Sequence, residues 1–355
     1  MAKKIAVLVS GGVDSSVALA LLKQQGHDLT AFYLKIWLED ELSYLGSCPW
    51  QQDLDFVQSV CAKLDVPLKV ISMQQAYHDR VVHYLLSEIK RGNTPNPDIL
   101  CNQQIKFGAF FDAIGSDFEY VATGHYAQIE HGPEISVLKK GKDPVKDQTY
   151  FLAYLNQAQL RKTLFPMGHL EKFQVRALAQ ELGLPTAQRP DSQGICFLGK
   201  FKFEDFLKAH IKNEQGPIVE FETGKILGMH DGFWFYTIGQ RHGLKLSAGP
   251  WYVVKKDIKI NTVYVSKAYE SVAEYKHGMI VRDFIWNQGC VSVCNTLDVR
   301  FRHGPAVHAC TVQFDGSYLK IMLNSASKQG IAQGQFAVLY DGDVCLGGGV
   351  IEQAV

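Results

Sequence analysis

The residues of this chain best suited to chemistry are a glycine turn near its start and two cysteines far apart. Ser10-Gly11-Gly12-Val13-Asp14-Ser15-Ser16 follows Val9 at the end of a short apolar run and precedes a helix-periodic stretch. Paired glycines let the backbone turn tightly and aim N–H groups at an anion, and a helix N-terminus behind them adds partial positive charge. The hydroxyls of Ser10, Ser15 and Ser16 supply further donors. Asp14 would repel a bare phosphate, so it reads either as an N-cap or as a partner for a magnesium ion. A strand–helix turn with an Asp or Ser cap and no ligand is the alternative.

Asn93-Thr94-Pro95-Asn96-Pro97-Asp98-Ile99-Leu100-Cys101-Asn102 reads as a Pro- and Asn-rich loop ending in a cysteine. The prolines stiffen it and keep Asn96 and its neighbours out of helix. A cysteine on such a loop serves as a nucleophile if its thiolate is stabilised, with Asp98 near enough to shuttle a proton. Asp191-Ser192-Gln193-Gly194-Ile195-Cys196-Phe197 places a second cysteine among small polar residues. For each, a thiol packed beneath a loop is the competing reading. Taken together with an anion-binding turn, the pair fits exchange of a carbonyl oxygen for sulfur, one thiol carrying a persulfide and the other assisting its release.

The elements that must position these groups change character along the chain. Up to about residue 205, strand and helix signals alternate: strands at Lys4–Val9, Leu29–Leu34, Leu68–Ile71 and Tyr120–Thr123, helices at Ser15–Gln25, Asp53–Leu64 and Gln74–Lys90. This alternation predicts a Rossmann-like α/β domain with a parallel sheet covered on both faces. Beyond it, Gly, aromatic and β-branched clusters at Gly232–Thr237, Trp251–Val254 and Thr262–Val265 predict short strands in small β domains. A break near Lys276-His277-Gly278 sets off a last segment of β-barrel or sandwich type. The expected domains are 1–205, 206–277 and 278–355.

Lys+Arg and Asp+Glu balance at 36 each, so composition supplies no global attraction for nucleic acid. Lys139, Lys140, Lys142, Lys146, Arg161, Lys162, Lys172 and Arg176 outnumber the acids among them, which marks either a local basic patch or a solvated mixed-charge face. The opening apolar run is interrupted by Gly11, Gly12 and Asp14 and lacks a small-residue cleavage site, and no segment reaches the ~20 apolar residues of a membrane span. A cytoplasmic protein without a membrane association is expected. Its eight cysteines (48, 61, 101, 196, 290, 294, 310, 345) then read mostly as thiols filling core, and Cys290 and Cys294 lack the second pair that a structural metal site needs.

The turn at Ser10–Ser16 resembles the SGGxDS motif of the ATP-pyrophosphatase (PP-loop) superfamily and lacks the lysine of a Walker A loop. With it, in order, stand Thr94–Asn102, Ala122–Ala127, Lys146–Leu152, Asp191–Phe197, Tyr236–Arg241 and Cys345–Gly349. Together these seven stretches resemble the tRNA-specific 2-thiouridylases over essentially the whole chain. The resemblance implies ATP with magnesium bound at Val9–Ser16 beside Leu34 and Gly124, and ATP split into AMP and pyrophosphate. It implies that Asn96, Pro97 and Asp98 meet the target base, that Cys101 is the nucleophile, and that Cys196 carries the persulfide and closes a transient disulfide with Cys101. It further implies tRNA contacts from His125, Lys146, Asp147, Gln148, Arg300, Phe301 and Gln335. The substrate would be the wobble uridine of tRNAs for Lys, Glu and Gln, and the sulfur would come from a cysteine desulfurase or sulfur-relay protein. Leu34 stands where the family usually has Met, Phe301 where it has Tyr and Gln333 where it has Pro, and Leu38–Asp53 departs from the family pattern. An amide-forming ligase of the same superfamily, or a tRNA-binding protein with a vestigial loop, are the rival readings.

Overall fold

The computed structural model describes residues 2–36, 50–191, 203–268, 276–288, 296–325, 327 and 330–355. Cys48, Cys196, Cys290 and Cys294 lie outside these, as does most of Leu38–Asp53. The first strands are β1 (Lys4–Leu8), β2 (Asp28–Lys35), β3 (Leu68–Ser72) and β4 (Tyr120–Ala122). A hairpin of β5 (Ala127–His131) and β6 (Ser136–Lys140) follows, then β7 (Thr163–Leu164). Strands β3, β2, β1, β4 and β7 form, in that order, a parallel sheet.

Both faces of this sheet are covered, as its continuous apolar strands require. Ile5, Val7 and Val9 pack with Leu19 and Leu22 of the helix Val13–Gln24 and with Leu54, Val57 and Val60 of the helix Trp50–Leu64. Ala6 and Leu8 point the other way, onto Tyr77, Val81 and Leu85. The alternation along β1 is the period of two that a strand imposes. The stretch 74–90, expected as one helix, is helical throughout but widens to a π turn at His78–Val82 between α-helical ends.

The middle unit has strands β8 (Gly216–Glu220), β9 (Ile226–His230), β10 (Tyr252–Asp257) and β11 (Thr262–Ser266), in the order β10-β11-β8-β9. Gly232–Thr237, expected as a strand, contains a 3-10 turn at Phe233–Phe235 instead. The reason is that its aromatics serve two cores. Phe233 is buried in the middle unit while Trp234 and Phe235 reach the core of the α/β domain, and a strand could not divide three successive rings this way.

The last unit consists of β12 (Gly278–Trp286), β13 (Leu297–Arg300), β14 (His308–Asp315), β15 (Tyr318–Leu323), β16 (Phe336–Asp341) and β17 (Val344–Ala354). All its pairings are antiparallel, and β12 pairs with both β15 and β17, closing a six-stranded barrel. The hairpin β5–β6 extends this sheet through the pair Val344↔Lys139. Barrel and α/β domain therefore share a sheet and a core, for Phe336, Val338, Tyr340 and Val350 sit in the same cluster as Tyr150, Leu152 and Tyr154.

Polar groups fasten this seam. Arg300 of β13 makes a buried ion pair with Asp147. Asp147 also accepts from Gly141 N at 2.9 Å and from Thr149 Oγ1 at 2.8 Å, and Thr149 Oγ1 lies 3.2 Å from the Tyr340 hydroxyl. Tyr150 donates to the Phe336 carbonyl at 3.1 Å. Breaking a buried pair by deleting one partner leaves the other charge stranded. Arg300→Met is thus expected to cost about 3–5 kcal/mol in urea unfolding, with most of the loss recovered in Arg300→Met/Asp147→Leu. An Arg300→Met protein as stable as wild type would contradict this.

Candidate active site

The strand order reverses direction between β1 and β4, which is where an open α/β sheet forms a ligand crevice at its carboxyl ends. Ser10–Ser16 leaves β1 at that point and Gly124 follows β4. Gly11 has φ +77°, and a Cβ there would lie 2.6 Å from the Asp53 carbonyl oxygen, so only glycine fits. A Cβ on Gly124 would lie 2.7 Å from Ser15 N. The two sides of the crevice meet backbone to backbone.

The Ser15 and Ser16 hydroxyls are turned inward, whereas Ser10 is exposed. Ser15 Oγ accepts from Ser10 N at 3.1 Å and donates to the Gly12 carbonyl, and Ser16 Oγ donates to the same carbonyl at 2.8 Å. They shape the loop rather than pointing away from it. Gly12 is the N-cap of the helix and receives no side-chain cap, which corrects the capping alternative for Asp14. The Asp14 carboxylate instead accepts from Tyr126 Oη at 2.8 Å and Lys172 Nζ at 2.6 Å. Val9 is buried and donates to the Phe32 carbonyl, Val13 is buried, and Leu34 is half-buried near the end of β2.

A charge network joins this loop to the stem of the segment carrying Cys196. Lys172 Nζ lies 2.9 Å from Asp191 Oδ1, Lys146 Nζ lies 2.8 Å from Asp191 Oδ2, and Arg176 pairs with the same carboxylate. Arg189 donates to the Gly11 carbonyl and to Asp53 Oδ1, both at 2.6 Å, with its guanidinium over the Phe56 ring. Burial alone would raise the Asp191 carboxyl; hydrogen bonds from Lys146 and Lys172, with their charges, carry it far below the usual carboxylate range. Three of the eight residues of the anticipated basic patch are thus spent on one aspartate. Cys196 itself lies outside the described residues.

The second side of the site is the Asn96 turn. Asn96 is extended (φ −114°, ψ 99°) and its side chain accepts from Asp98 N at 3.2 Å, capping a helical turn at Pro97–Leu100 with Pro97 in the first position. That position suits proline because the missing N–H has no partner there. The loop therefore ends at Asn96. Cys101 begins a π-helix, Cys101–Ala109, and is buried, a correction to its expected display on a loop. The apolar side chains Ile99, Leu100, Ile105 and Phe107 draw the segment into the core, and propensity alone does not reveal this packing. π turns recur at functional sites. Asn102 Nδ2 donates to the Phe151 carbonyl at 2.9 Å, and Lys106 Nζ donates to Asn102 Oδ1. At the base of the turn Thr94 N donates to the Gln333 carbonyl, and Gln335 Nε2 donates to the Thr94 carbonyl at 2.7 Å.

The residues that the resemblance assigns to tRNA fall into two groups. Lys146 and Gln148 are half-buried, and Gln148 Oε1 accepts from Tyr126 N at 3.0 Å. His125 is held 2.6 Å from Thr123 Oγ1 between Phe107 and Phe165. Burial and then the Lys106 charge push its imidazole well below an ordinary histidine, so it is neutral. Asp147, Arg300 and Phe301 are interior: the first two pair in the seam, and Phe301 stacks 4.8 Å from His308. Their side chains are occupied within the fold. Cys61, Cys310 and Cys345 are buried thiols that burial pushes up to about 11, 12 and 12, the behaviour of packing residues. Residue types alone do not mark Arg189 or the convergence on Asp191, because ion pairs across 15 to 136 residues leave no local pattern.

No group of three or more His, Cys, Asp or Glu side chains suited to a metal occurs among the described residues. Asp14, the one candidate ligand, is already spanned by Lys172 and Tyr126, so its surroundings do not fit a protein-held magnesium. No helix among the described residues is long and apolar enough to cross a membrane.

Three family models cover the chain: one described as a tRNA methyl transferase HUP domain at residues 3–200, a tRNA methyl transferase PRC-barrel domain at 204–267, and an aminomethyltransferase β-barrel domain at 276–351. The tRNA-specific 2-thiouridylase MnmA of Parabacteroides distasonis is 44% identical over 356 residues, covering 98% of each chain. Its namesake in Porphyromonas gingivalis is 43% identical, again covering 98% of each, and the MnmA 2 protein of Bacteroides fragilis is 43% identical, covering 98% of this chain and 99% of its own.

The Asp191 network makes a pH prediction. Its carboxyl titrates lower in the folded chain than the ordinary ~3.9 of an unfolded one, so the pairing stabilises the fold above that pH and is lost as pH falls through the lowered value. The gap in urea midpoint between wild type and Asp191→Asn is expected to be open at pH 7 and to close progressively below about pH 4. A gap independent of pH would contradict the assignment.

Proposed function

Because the chain belongs to the tRNA-specific 2-thiouridylases, a family of sulfurtransferases, we propose that it replaces the 2-oxygen of a tRNA wobble uridine with sulfur at the expense of ATP. The family models' descriptions name methyl transfer; the full-length relatives decide for sulfur. The observation that supports this reading best is the glycine turn at the β1/β4 crevice, backed by Gly124 and joined through Arg189 and Lys172 to the stem of the Cys196 segment.

In this reading Val9–Ser16, Leu34 and Gly124 receive ATP, with magnesium arriving on the nucleotide rather than in a protein cage. The uridine 2-oxygen bonds to the α-phosphorus, pyrophosphate leaves, and a poor leaving group becomes AMP. Sulfur held as a persulfide on Cys196 then displaces AMP, either by direct attack with Cys101 resolving, or as hydrosulfide released by Cys101. Either route ends in a Cys101–Cys196 disulfide that a reductant reopens. Asn96, Pro97 and Asp98 meet the base, which must leave its stack to reach them, and Asp98 moves a proton. His125, Lys146, Gln148 and Gln335 face the RNA. Asp147, Arg300 and Phe301 act through the seam that holds the barrel in place. Because Cys101 is buried, its reaction requires the Asn96 turn to open when the base enters. The tRNAs for Lys, Glu and Gln are the expected substrates, a cysteine desulfurase or sulfur-relay protein the donor, and the cytoplasm the setting.

A single mixture of tRNA, ATP, magnesium and a persulfide donor (a cysteine desulfurase supplied with cysteine), with free sulfide left out, tests this reading when both pyrophosphate and thiolated uridine are measured. Wild type should form both, and Cys196→Ser should release pyrophosphate without thiolating. Pyrophosphate formed without any need for RNA would favour a small-molecule ligase. Binding of tRNA without pyrophosphate release would favour a non-catalytic binder.

A further inference from the structure

His303, on the barrel loop between β13 and β14, crosses the seam to the α/β domain. Its ring lies 4.6 Å from that of Phe151, tilted by 31°, and 6.4 Å from that of Tyr150. These two aromatics frame the Asn96 turn. Tyr150 hydrogen-bonds the Asn96 side chain, and the Phe151 carbonyl accepts from Asn102, the neighbour of Cys101. The Asp98 carboxylate is near enough to act on His303 electrostatically. Yet His303 is an exposed residue.

The state of the ring follows from its surroundings. Packing against the seam is the largest influence and holds the imidazole below an ordinary histidine, assisted by the Arg300 charge; a hydrogen bond to the Asp147 main chain and the charges of Asp147 and Asp98 oppose it. The ring is therefore neutral near pH 7. A neutral imidazole that donates one N–H to a carbonyl keeps a second nitrogen that can only accept. That second nitrogen belongs to an exposed ring packed on Phe151, beside the turn where a base would enter.

We propose that His303 positions and selects the target base, its second ring nitrogen accepting a hydrogen bond from the N3–H of uracil. The inference rests on the thiouridylase reading and adds to it a residue from the barrel. Uracil carries its N3–H donor beside the 2-oxygen that reacts, so a bond at N3 orients that oxygen toward the crevice. A pyrimidine with a bare or blocked N3 leaves the imidazole nitrogen facing an acceptor or a methyl group, and a site built for a hydrogen bond rejects such analogues strongly. Phe151 fixes the plane in which the imidazole presents its nitrogen.

The test is steady-state thiolation of two tRNAs that differ only in carrying uridine or cytidine, whose N3 is bare, at the target position. His303→Leu is expected to lower kcat/KM for the uridine tRNA on the order of tenfold and to shrink the preference for uridine over cytidine by a similar factor. The KM for ATP should stay at its wild-type value, and His303→Asn, which returns an acceptor, should recover part of both losses. A His303→Leu enzyme with unchanged kcat/KM overturns the proposal. So does one that loses activity but keeps the wild-type preference, since a merely structural role slows both substrates alike. Wild-type protein that thiolates neither tRNA would instead overturn the thiouridylase reading, and this inference with it.

Discussion

The buried ion pair between Asp147 and Arg300 is the contact on which the rest of the arrangement depends. Two charges in an apolar seam are tolerable only together: Gly141 and Thr149 also bond Asp147, and the Arg300 guanidinium lies over the Tyr340 ring, its Nε without a hydrogen-bond partner among the described residues. Their union fixes the barrel against the α/β domain in one register. That register sets Gln333 and Gln335 against Thr94, Phe336 against Tyr150, and the β13–β14 loop against Phe151. The Asn96 turn, part of the α/β domain, is thereby braced by the barrel at Thr94 and through Tyr150 and Phe151. A site so divided requires both domains to be in place before it can close on a base.

On the other side of the site the organising force is charge exchange around a glycine turn. Asp14, Asp191 and Asp53 are each satisfied by a cation from a distant element: Lys172, Lys146 with Arg176, and Arg189. Arg189 also holds the Gly11 carbonyl. The loop that would receive phosphates is consequently tied by ion pairs and a hydrogen bond to Arg189 and Asp191, which precede the Cys196 segment in sequence. An incoming polyanion must compete with carboxylates for Lys172, and in doing so it would act on both.

Much of this was legible from the chain alone, and the limits have physical causes. The strand Lys4–Val9, the glycine turn and the helix behind it follow from a buried apolar run and helical periodicity, signals that act within a few residues. The Asn96 turn was legible as a stiff element because proline restricts its own φ and that of its neighbour. The descent of Cys101 into the core was not, since a π-helix has no propensity signature and its burial depends on a cluster drawn from elements between Ala6 and Val350. Serine hydroxyls that read as ligand donors prove to be occupied with their own loop, which only coordinates reveal. Arg300 and Phe301 stand out by resemblance, whereas His303 carries no local mark and gains meaning only from the rings it meets.

The proposed sulfur transfer requires the sulfurs of Cys101 and Cys196 to come together during catalysis. A single turnover run without reductant, quenched by alkylation and mapped by mass spectrometry, measures this directly. The expected result is one Cys101–Cys196 disulfide for each thiolated uridine, absent when either ATP or tRNA is withheld. Thiolated uridine formed while both cysteines remain alkylatable, or a disulfide joining either one to a different cysteine, would contradict the account.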